Sequence, residues 1–588
     1  MSGNKAKLLN NPYGETVYET FRKFEKAYVD KSSIIKELDS NGTSRYPVLL
    51  RPRRFGKSTF VQMLKCFYDI SYKDRYEEIF SGTDIYEENL ESHNSYHVLN
   101  FNFSGVSGRK EETLLEDFIT AVGSGINDFA VRYPDFVFDS AAKAKKTPSG
   151  IIKSFMDAYK RYPSKASLYV MIDEYDNFAN SVLSDDLELF KSITSSGGFL
   201  KDFYAAIKEG AETCIAKTFI TGVSSVSLDS LTSGFNISLN VTSDDCFNEY
   251  AGFTERELLS LIPKLVDTER LGASVGEIIA RMKPVYDGYC FSPDAELTVF
   301  NSSMTLYYLR NLQKKGKFLP PEKYMDPASD HDGDKLRKLF EIAEDGLADS
   351  IIDACLSDAR FFIEGLAENI NLNKSAKYDR VQLLSMLYYL GYLTIDKDAS
   401  DSSAVALKVP NLFMSKLFGQ CAANLRLKPS KVFSESELDV SALLDARDDI
   451  SSFAASCTEF LSAICTNHVL AGMTEMALNL ALYTKLQARD DVFAEMQKSL
   501  RVEGDGEKFA DLAITVRKGT DEECVYVLEL KYLSKAKYSE AKLQSLVEEA
   551  SSQVLRYKSS VDFKNKRVKA YVMVFSGPRC VHCAMQEK

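Results

Sequence analysis

Two stretches of the chain gather residues that could act on phosphate. The first is Arg51-Pro-Arg-Arg-Phe-Gly-Lys-Ser. Gly56 lets the backbone come close to an anion, and the N–H groups that open a following helix favour negative charge. The Lys57 amine would neutralise β- and γ-phosphates, while the Ser58 hydroxyl would ligate Mg2+. Arg51 stands where such a loop usually opens with glycine, and Pro52 removes a backbone donor. Arg53 and Arg54 either restore charge or serve another partner. The loop's counterpart is Asp173-Glu174, which ends the apolar run Leu168-Tyr-Val-Met-Ile. Asp173 would hold the metal through water, and Glu174 would orient or deprotonate an attacking water; an acidic surface turn is the plain alternative. Thr221 closes another apolar run, where a γ-phosphate sensor could sit. ATP and Mg2+ are the expected ligands. Arg53, Arg54, Phe55, Gly56, Lys57, Ser58, Thr59 and Thr221 surround the nucleotide, with Ser58 and Asp173 on the metal.

The second stretch is C-terminal. If Phe509 to Val516 and Cys524 to Leu530 form an antiparallel hairpin with Val516 facing Cys524, Asp511 stands opposite Glu529. Glu529 and Lys531 are two residues apart and share a face. Two carboxylates on Mg2+, with a lysine that orients or polarises water, are what metal-dependent phosphodiester cleavage requires. The alternative is an exposed hairpin carrying an ion pair. The continuously apolar Val525 to Leu528 predicts instead a strand buried on both faces. A further acid comes from Glu475 or Glu503, with the choice open.

The elements that must carry these groups show in the hydrophobic pattern. Tyr46 to Leu50, Val98 to Phe103, Leu168 to Ile172 and Thr218 to Thr221 alternate with amphipathic helical stretches, Thr59 to Tyr68 among them. That predicts a parallel sheet with helices on both faces and ligands at the C-terminal strand edge. Beyond about Asn248 the pattern is mostly helical. Val381 to Leu390 reads as a helix, followed by Gly391 and the short strands Tyr392 to Ile395 and Val405 to Val409, a winged-helix-like unit. Phe453 to Leu486 is helical again, and a last strand, Ala570 to Phe575, precedes a tail.

At 588 residues the chain exceeds one core and predicts three or four domains. A formal charge of -12 excludes a protein that coats nucleic acid by bulk electrostatics, leaving a local basic run at Lys564, Lys566, Arg567 and Lys569. A polar start from Met1 to Gly14 and no long apolar segment predict neither signal peptide nor membrane span, hence a cytoplasmic address. Scattered cysteines fit reduced thiols, and Cys580 with Cys583 lacks the second pair a zinc site needs.

Together Arg51-Pro-Arg-Arg-Phe-Gly-Lys-Ser, Tyr28-Val-Asp-Lys, Ile172-Asp-Glu-Tyr-Asp, Ile220-Thr-Gly-Val, Tyr286-Asp-Gly-Tyr and Gly391-Tyr-Leu-Thr-Ile resemble the AAA-ATPase-like proteins that carry a C-terminal PD-(D/E)XK nuclease-superfamily domain. The family shares the arginine-rich loop, so Arg51 departs from the general rule and not from these relatives. Ser302 replaces the family's proline, a change expected to affect only a helix start. Gln553 and Tyr557 resemble the family's glutamine-bearing helix beside the nuclease site. The resemblance implies an α/β multidomain chain. Its parts are an AAA-ATPase-like P-loop domain over 1–247, a helical lid-like region over 248–345, a winged-helix-like region over 346–440 and a PD-(D/E)XK nuclease-like domain over 441–588. It implies an ATP-driven or ATP-gated module joined to a nuclease-like module. The residues extend that to an expected ATPase, with catalytic Glu174, coupled by domain closure to a Mg2+-dependent nuclease with catalytic Asp511, Glu529 and Lys531, acting on nucleic acid, DNA ahead of RNA. Homo-oligomerisation is left open. The competing reading is a nucleotide-switched module that binds DNA or protein, with the nuclease-like part a scaffold.

Overall fold

Runs without an internal glycine or proline become strands of a parallel sheet: β1 (Pro47–Leu50), β2 (Tyr96–Asn102), β3 (Ser167–Asp173), β4 (Ile215–Gly222) and the two-residue β5 (Leu239–Asn240), in the order β2-β3-β4-β1-β5. All four pairings are parallel. Every residue of β1, and every residue of β3 after Ser167, is buried, as helix-covered parallel strands must be. The connections include helices Lys57–Tyr68, Glu111–Arg132, Pro148–Lys160 and Phe199–Ala211. A cluster of Phe101, Phe103, Phe118 and Phe203 packs helices onto the sheet. The chain leaves β1 for the far edge, returns through β3 and β4, and continues on β1's other side. β1 is therefore where the winding direction switches, and its C-terminal end opens a crevice.

The computed structural model describes residues 7–587 except 25, 41–42, 139–146, 165, 195–197, 226–233, 319–329, 357–358, 368–369, 371–376, 402, 428–437, 465–474, 488, 490–491, 503–505, 519, 521 and 565. The chain divides into two compact units: Met1–Leu319 with Ile342–Asp345 and Phe361–Pro410, and Pro320–Glu341 with Gly346–Arg360 and Asn411–Lys588. Among the described residues no helix is long and apolar enough to cross a membrane.

After β5 the first unit is mainly helical, with Glu255–Leu265, Val275–Tyr286 and Ser302–Lys315. Then comes helix Arg380–Tyr389, capped by Asp379, and the antiparallel strands β6 (Phe361–Ile363), β7 (Thr394–Ile395) and β8 (Val405–Lys408) in the order β6-β8-β7. The helix and hairpin stand where expected; β6 is an addition that the three-residue run Phe-Phe-Ile is too short to announce. Gly391 takes φ 83°, and a Cβ there would meet the Pro52 ring at 2.8 Å, so this turn packs directly on the arginine-rich loop.

The second unit is built on the order β13-β12-β11-β10-β9, with β9 (Val492–Val502), β10 (Gly506–Val516), β11 (Cys524–Leu533), β12 (Arg567–Ser576) and β13 (Arg579–Met585). β11 is central and buried almost throughout, and helix Glu540–Lys558 covers the sheet with Leu543, Ala550, Val554 and Tyr557. Val516 pairs with Cys524 and Leu512 with Leu528, the register counted from the sequence. The expected C-terminal tail is instead an edge strand antiparallel to β12. Its His and Cys side chains are half-buried and Arg579 is exposed, which hides it from a hydrophobic scan.

Candidate nucleotide and nuclease-like sites

Beyond β1 the chain turns through Arg51–Gly56 into helix Lys57–Tyr68, with Gly56 at φ 94° and Arg54 at φ 71°. A left-handed residue with a side chain costs about 1 to 2 kcal/mol, so neighbours must hold it. The Ser303 N–H donates to the Arg54 carbonyl at 3.1 Å, and the Phe55 carbonyl accepts from Gly252 N–H at 3.1 Å and Ser302 Oγ at 3.2 Å. The Phe55 ring stands edge-on to Tyr289 and Phe291, with centroids 4.9 and 5.5 Å away. Ser302 does begin helix Ser302–Lys315, behind the Asn301 cap. Its hydroxyl also braces the loop, which is more than a change of helix start.

Arg51 does not point at phosphate. Its guanidinium is fully buried and donates to the carbonyls of Leu50 (2.7 Å), Thr242 (2.9 Å) and Phe247 (2.6 Å), with its centre 4.2 Å from the Phe291 ring. Carbonyl oxygens and an aromatic face compensate a charge that burial would otherwise make very costly. Arginine replaces the usual glycine because the position ties the loop to later chain. Arg53 donates to Asn177 Oδ1 at 3.2 Å, holding the segment after the acidic pair.

Lys57 and the acidic pair meet. The Lys57 amine, on a side chain 4% exposed, donates to the Pro52 carbonyl at 3.2 Å and lies 3.7 Å from Glu174 Oε1. Glu174 itself takes φ 55°, which turns its carboxylate toward the loop. Asp173 is 2% exposed; one oxygen accepts from Asn102 Nδ2 at 3.2 Å, and the other has no hydrogen-bond partner among the described residues. Burial first and the Glu174 charge second push its carboxyl up to about 6, against the Ser58 hydroxyl and the Lys57 amine. A carboxylate with a spare oxygen, a hydroxyl beside it and a lysine opposite suit a hydrated Mg2+ and the phosphates it accompanies. Sequence reasoning missed Asn102, although β2–β3 pairing places it opposite Asp173. Thr221 stands at the tip of β4, but its hydroxyl proton goes to the Leu49 carbonyl at 2.6 Å. A cavity of about 300 Å³ runs from Gly56–Thr59 and Glu174 past Tyr250 to Tyr28, Met63 and Leu261.

In the second unit Asp511, Glu529 and Lys531 are all nearly buried and adjoin. Asp511 Oδ2 accepts from the Leu530 N–H at 2.8 Å, and the Lys531 amine donates to Glu529 Oε1 at 2.8 Å and Glu475 Oε1 at 3.3 Å. Burial and then the Asp511 charge push the Glu529 carboxyl up to about 7, with Lys531 opposing. Burial works to lower the Lys531 amine, but the Glu529 hydrogen bond and the charges of Glu529, Asp511 and Glu475 carry it above its usual range. Glu529 Oε2 and Gln553 Oε1 are buried without partners among the described residues. Tyr557 feels the charge of both Glu529 and Asp511. Glu475, the first residue of helix Glu475–Gln487, thus reaches the cluster; Glu503 lies outside the described residues. No group of three or more His, Cys, Asp or Glu forms a metal cage among the described residues. One or two carboxylates are nevertheless what Mg2+ takes when it keeps several waters, and the spare Glu529 oxygen fits that role.

Of the basic run, Lys564, Lys566 and Arg567 are exposed and Lys569 is committed to the fold. Lys569 is buried, donates to the Ala446 carbonyl at 2.6 Å and pairs with Asp448 at 2.5 Å, while Lys566 pairs with Glu523 at 3.3 Å.

Compared with known proteins, residues 12–232 match the family model described as predicted AAA-ATPase, and residues 503–585 match the PD-(D/E)XK nuclease superfamily. A protein from Azotobacter chroococcum mcd 1, described as an uncharacterized protein in the vnfD 5′ region, is 24% identical over 300 residues, 48% of this chain and 49% of that protein. The chain therefore spans about half the length of that curated relative. The two matches fall on separate parts of the chain, the predicted AAA-ATPase match on strands β1 to β4 and the PD-(D/E)XK nuclease-superfamily match on Asp511, Glu529 and Lys531.

Proposed function

We propose that the chain binds and hydrolyses ATP in its first unit and carries a Mg2+-dependent nuclease-like centre, acting on DNA ahead of RNA, in its second. The observation that carries this reading is the meeting of Lys57 and Glu174 in the wall of one cavity, with the buried Asp173 beside them and within reach of Ser58. Lys57 would exchange its Pro52 and Glu174 contacts for β- and γ-phosphate oxygens. The N–H groups of Gly56 to Thr59 would face the same anion. Ser58 and Asp173 would hold the metal, directly and through water, and Glu174, released from Lys57, would orient or deprotonate the attacking water. In the second unit Asp511 and Glu529 would hold the metal and Lys531 would position the nucleophilic water. At both sites Mg2+, when bound, supplies charge neutralisation and polarises the phosphoryl oxygens. The unit of helix Arg380–Tyr389 and strands β6 to β8 is the winged-helix-like element of this reading.

The test is an assay of the purified full chain with Mg2+ and ATP on single- and double-stranded DNA and on RNA, beside Lys57→Ala and Asp511→Asn. The reading expects ATP hydrolysis lost with Lys57→Ala and cleavage lost with Asp511→Asn while nucleotide binding survives. ATP-dependent DNA binding without cleavage would favour the switched module with a scaffold nuclease fold. Neither binding nor hydrolysis would overturn both.

A further inference from the structure

Thr221 cannot offer its hydroxyl proton to a ligand without giving up the Leu49 carbonyl. Beside it stands a phenol. Tyr250 comes from the segment after β5, is 2% exposed, and lines the same cavity as Gly56–Thr59 and Glu174. Its ring is fixed on two sides, by Phe60 with centroids 4.9 Å apart and by the Arg51 guanidinium 5.0 Å from its centre. Its hydroxyl lies next to Thr221 and within the field of Asp173. The approach to Thr221 falls short of hydrogen-bond geometry, so the phenol makes no well-formed hydrogen bond among the described residues. A buried hydroxyl left unmade costs about 1 to 3 kcal/mol, and here it stands at the tips of β3 and β4, where the terminal phosphate of a bound triphosphate would lie.

We infer that the Tyr250 hydroxyl donates a hydrogen bond to the terminal phosphate of the bound nucleotide, so that Tyr250, and not Thr221, distinguishes a nucleoside triphosphate from a diphosphate. This rests on the nucleotide reading above. The phenol gains the partner it lacks only when the third phosphate is present, and its ring reports that contact to Arg51 and hence to the Thr242–Phe247 segment that Arg51 holds.

The test is equilibrium binding of ATPγS and ADP, each with Mg2+, to the full-length protein and to Tyr250→Phe and Thr221→Val. Tyr250→Phe keeps the packing against Phe60 and Arg51 and removes only the hydroxyl. A hydrogen bond to a charged oxygen predicts ATPγS binding weakened by about tenfold or more, with ADP binding unchanged and the thermal midpoint held or raised. kcat for ATP falls with it. Thr221→Val, which removes a donor already committed to Leu49, leaves the ratio of the two affinities near that of the parent. An unchanged ratio in Tyr250→Phe overturns the inference, as does a parallel loss of ATPγS and ADP binding, which would mark Tyr250 as packing alone. If the parent binds neither nucleotide, it is the nucleotide reading itself that fails.

Discussion

Asp173→Asn should make the ligand-free protein more stable while removing its response to magnesium. The carboxyl is pushed from 3.8 to about 6, chiefly by burial, and a rise of that size corresponds to about 3 kcal/mol of stability forgone at neutral pH. Asparagine keeps the shape and sheds the charge, but its amide needs acceptors, so a net gain of about 1 to 2 kcal/mol is expected. The sign follows from linkage. A carboxyl whose folded value is raised favours the native state when protonated, so its penalty is absent below the unfolded value, grows between the two and is complete above the folded one. Thermal unfolding in EDTA should show the variant above the parent by about 3 °C or more at about pH 7.5, with the gap closing toward about pH 4. With ATP and Mg2+ the order should reverse, because only the parent gains from the metal. A variant less stable than the parent without ligand, or a gap indifferent to pH, would refute the placement of Asp173 as a strained, ligand-ready carboxylate.

Other perturbations read different parts of the account. Arg51→Met removes the donor to three buried carbonyls and should cost about 3 kcal/mol or more in denaturant unfolding; an unchanged midpoint would show that Arg51 is no tie. Gly391→Val places a branched side chain at φ 83° against Pro52 and should destabilise by about 2 kcal/mol or more while weakening nucleotide binding, whereas intact binding would separate that turn from the loop. In the second unit, Glu529 ionises through about 7, so Mg2+-dependent cleavage should rise with pH across that value, and a rate flat from about pH 5.5 to 8.5 would contradict its role as a metal-holding carboxylate.

Where the polypeptide itself juxtaposes residues, local pattern was enough to read them. Lys57 and Ser58 open the helix one short loop after a strand, Asp173 ends a strand with Glu174 next to it, and the count from Val516 and Cys524 brings Asp511 toward Glu529 because side chains alternate along paired strands. What escaped depends on distant chain. Arg51 owes its place to Thr242 and Phe247, Ser302 bonds Phe55, and Tyr250 arrives from the loop beyond β5. No periodicity carries such contacts. The edge strands had a different obstacle. In β9 Val492, Ala494, Met496, Leu500 and Val502 are buried at a period of two, but Phe493 on the other face is buried too and Lys498 breaks the row. In β13 half-exposure leaves polar residues on both faces.

The central claim is that Lys57 and Asp173 converge on one magnesium-bound triphosphate. Calorimetric titration of the full-length protein with ATPγS, with and without Mg2+, tests it most directly when repeated on Lys57→Ala. The account predicts one nucleotide per chain, binding that strengthens with Mg2+, and a loss of about 100-fold in Lys57→Ala. Equal affinity in that variant, or binding indifferent to the metal, would contradict it.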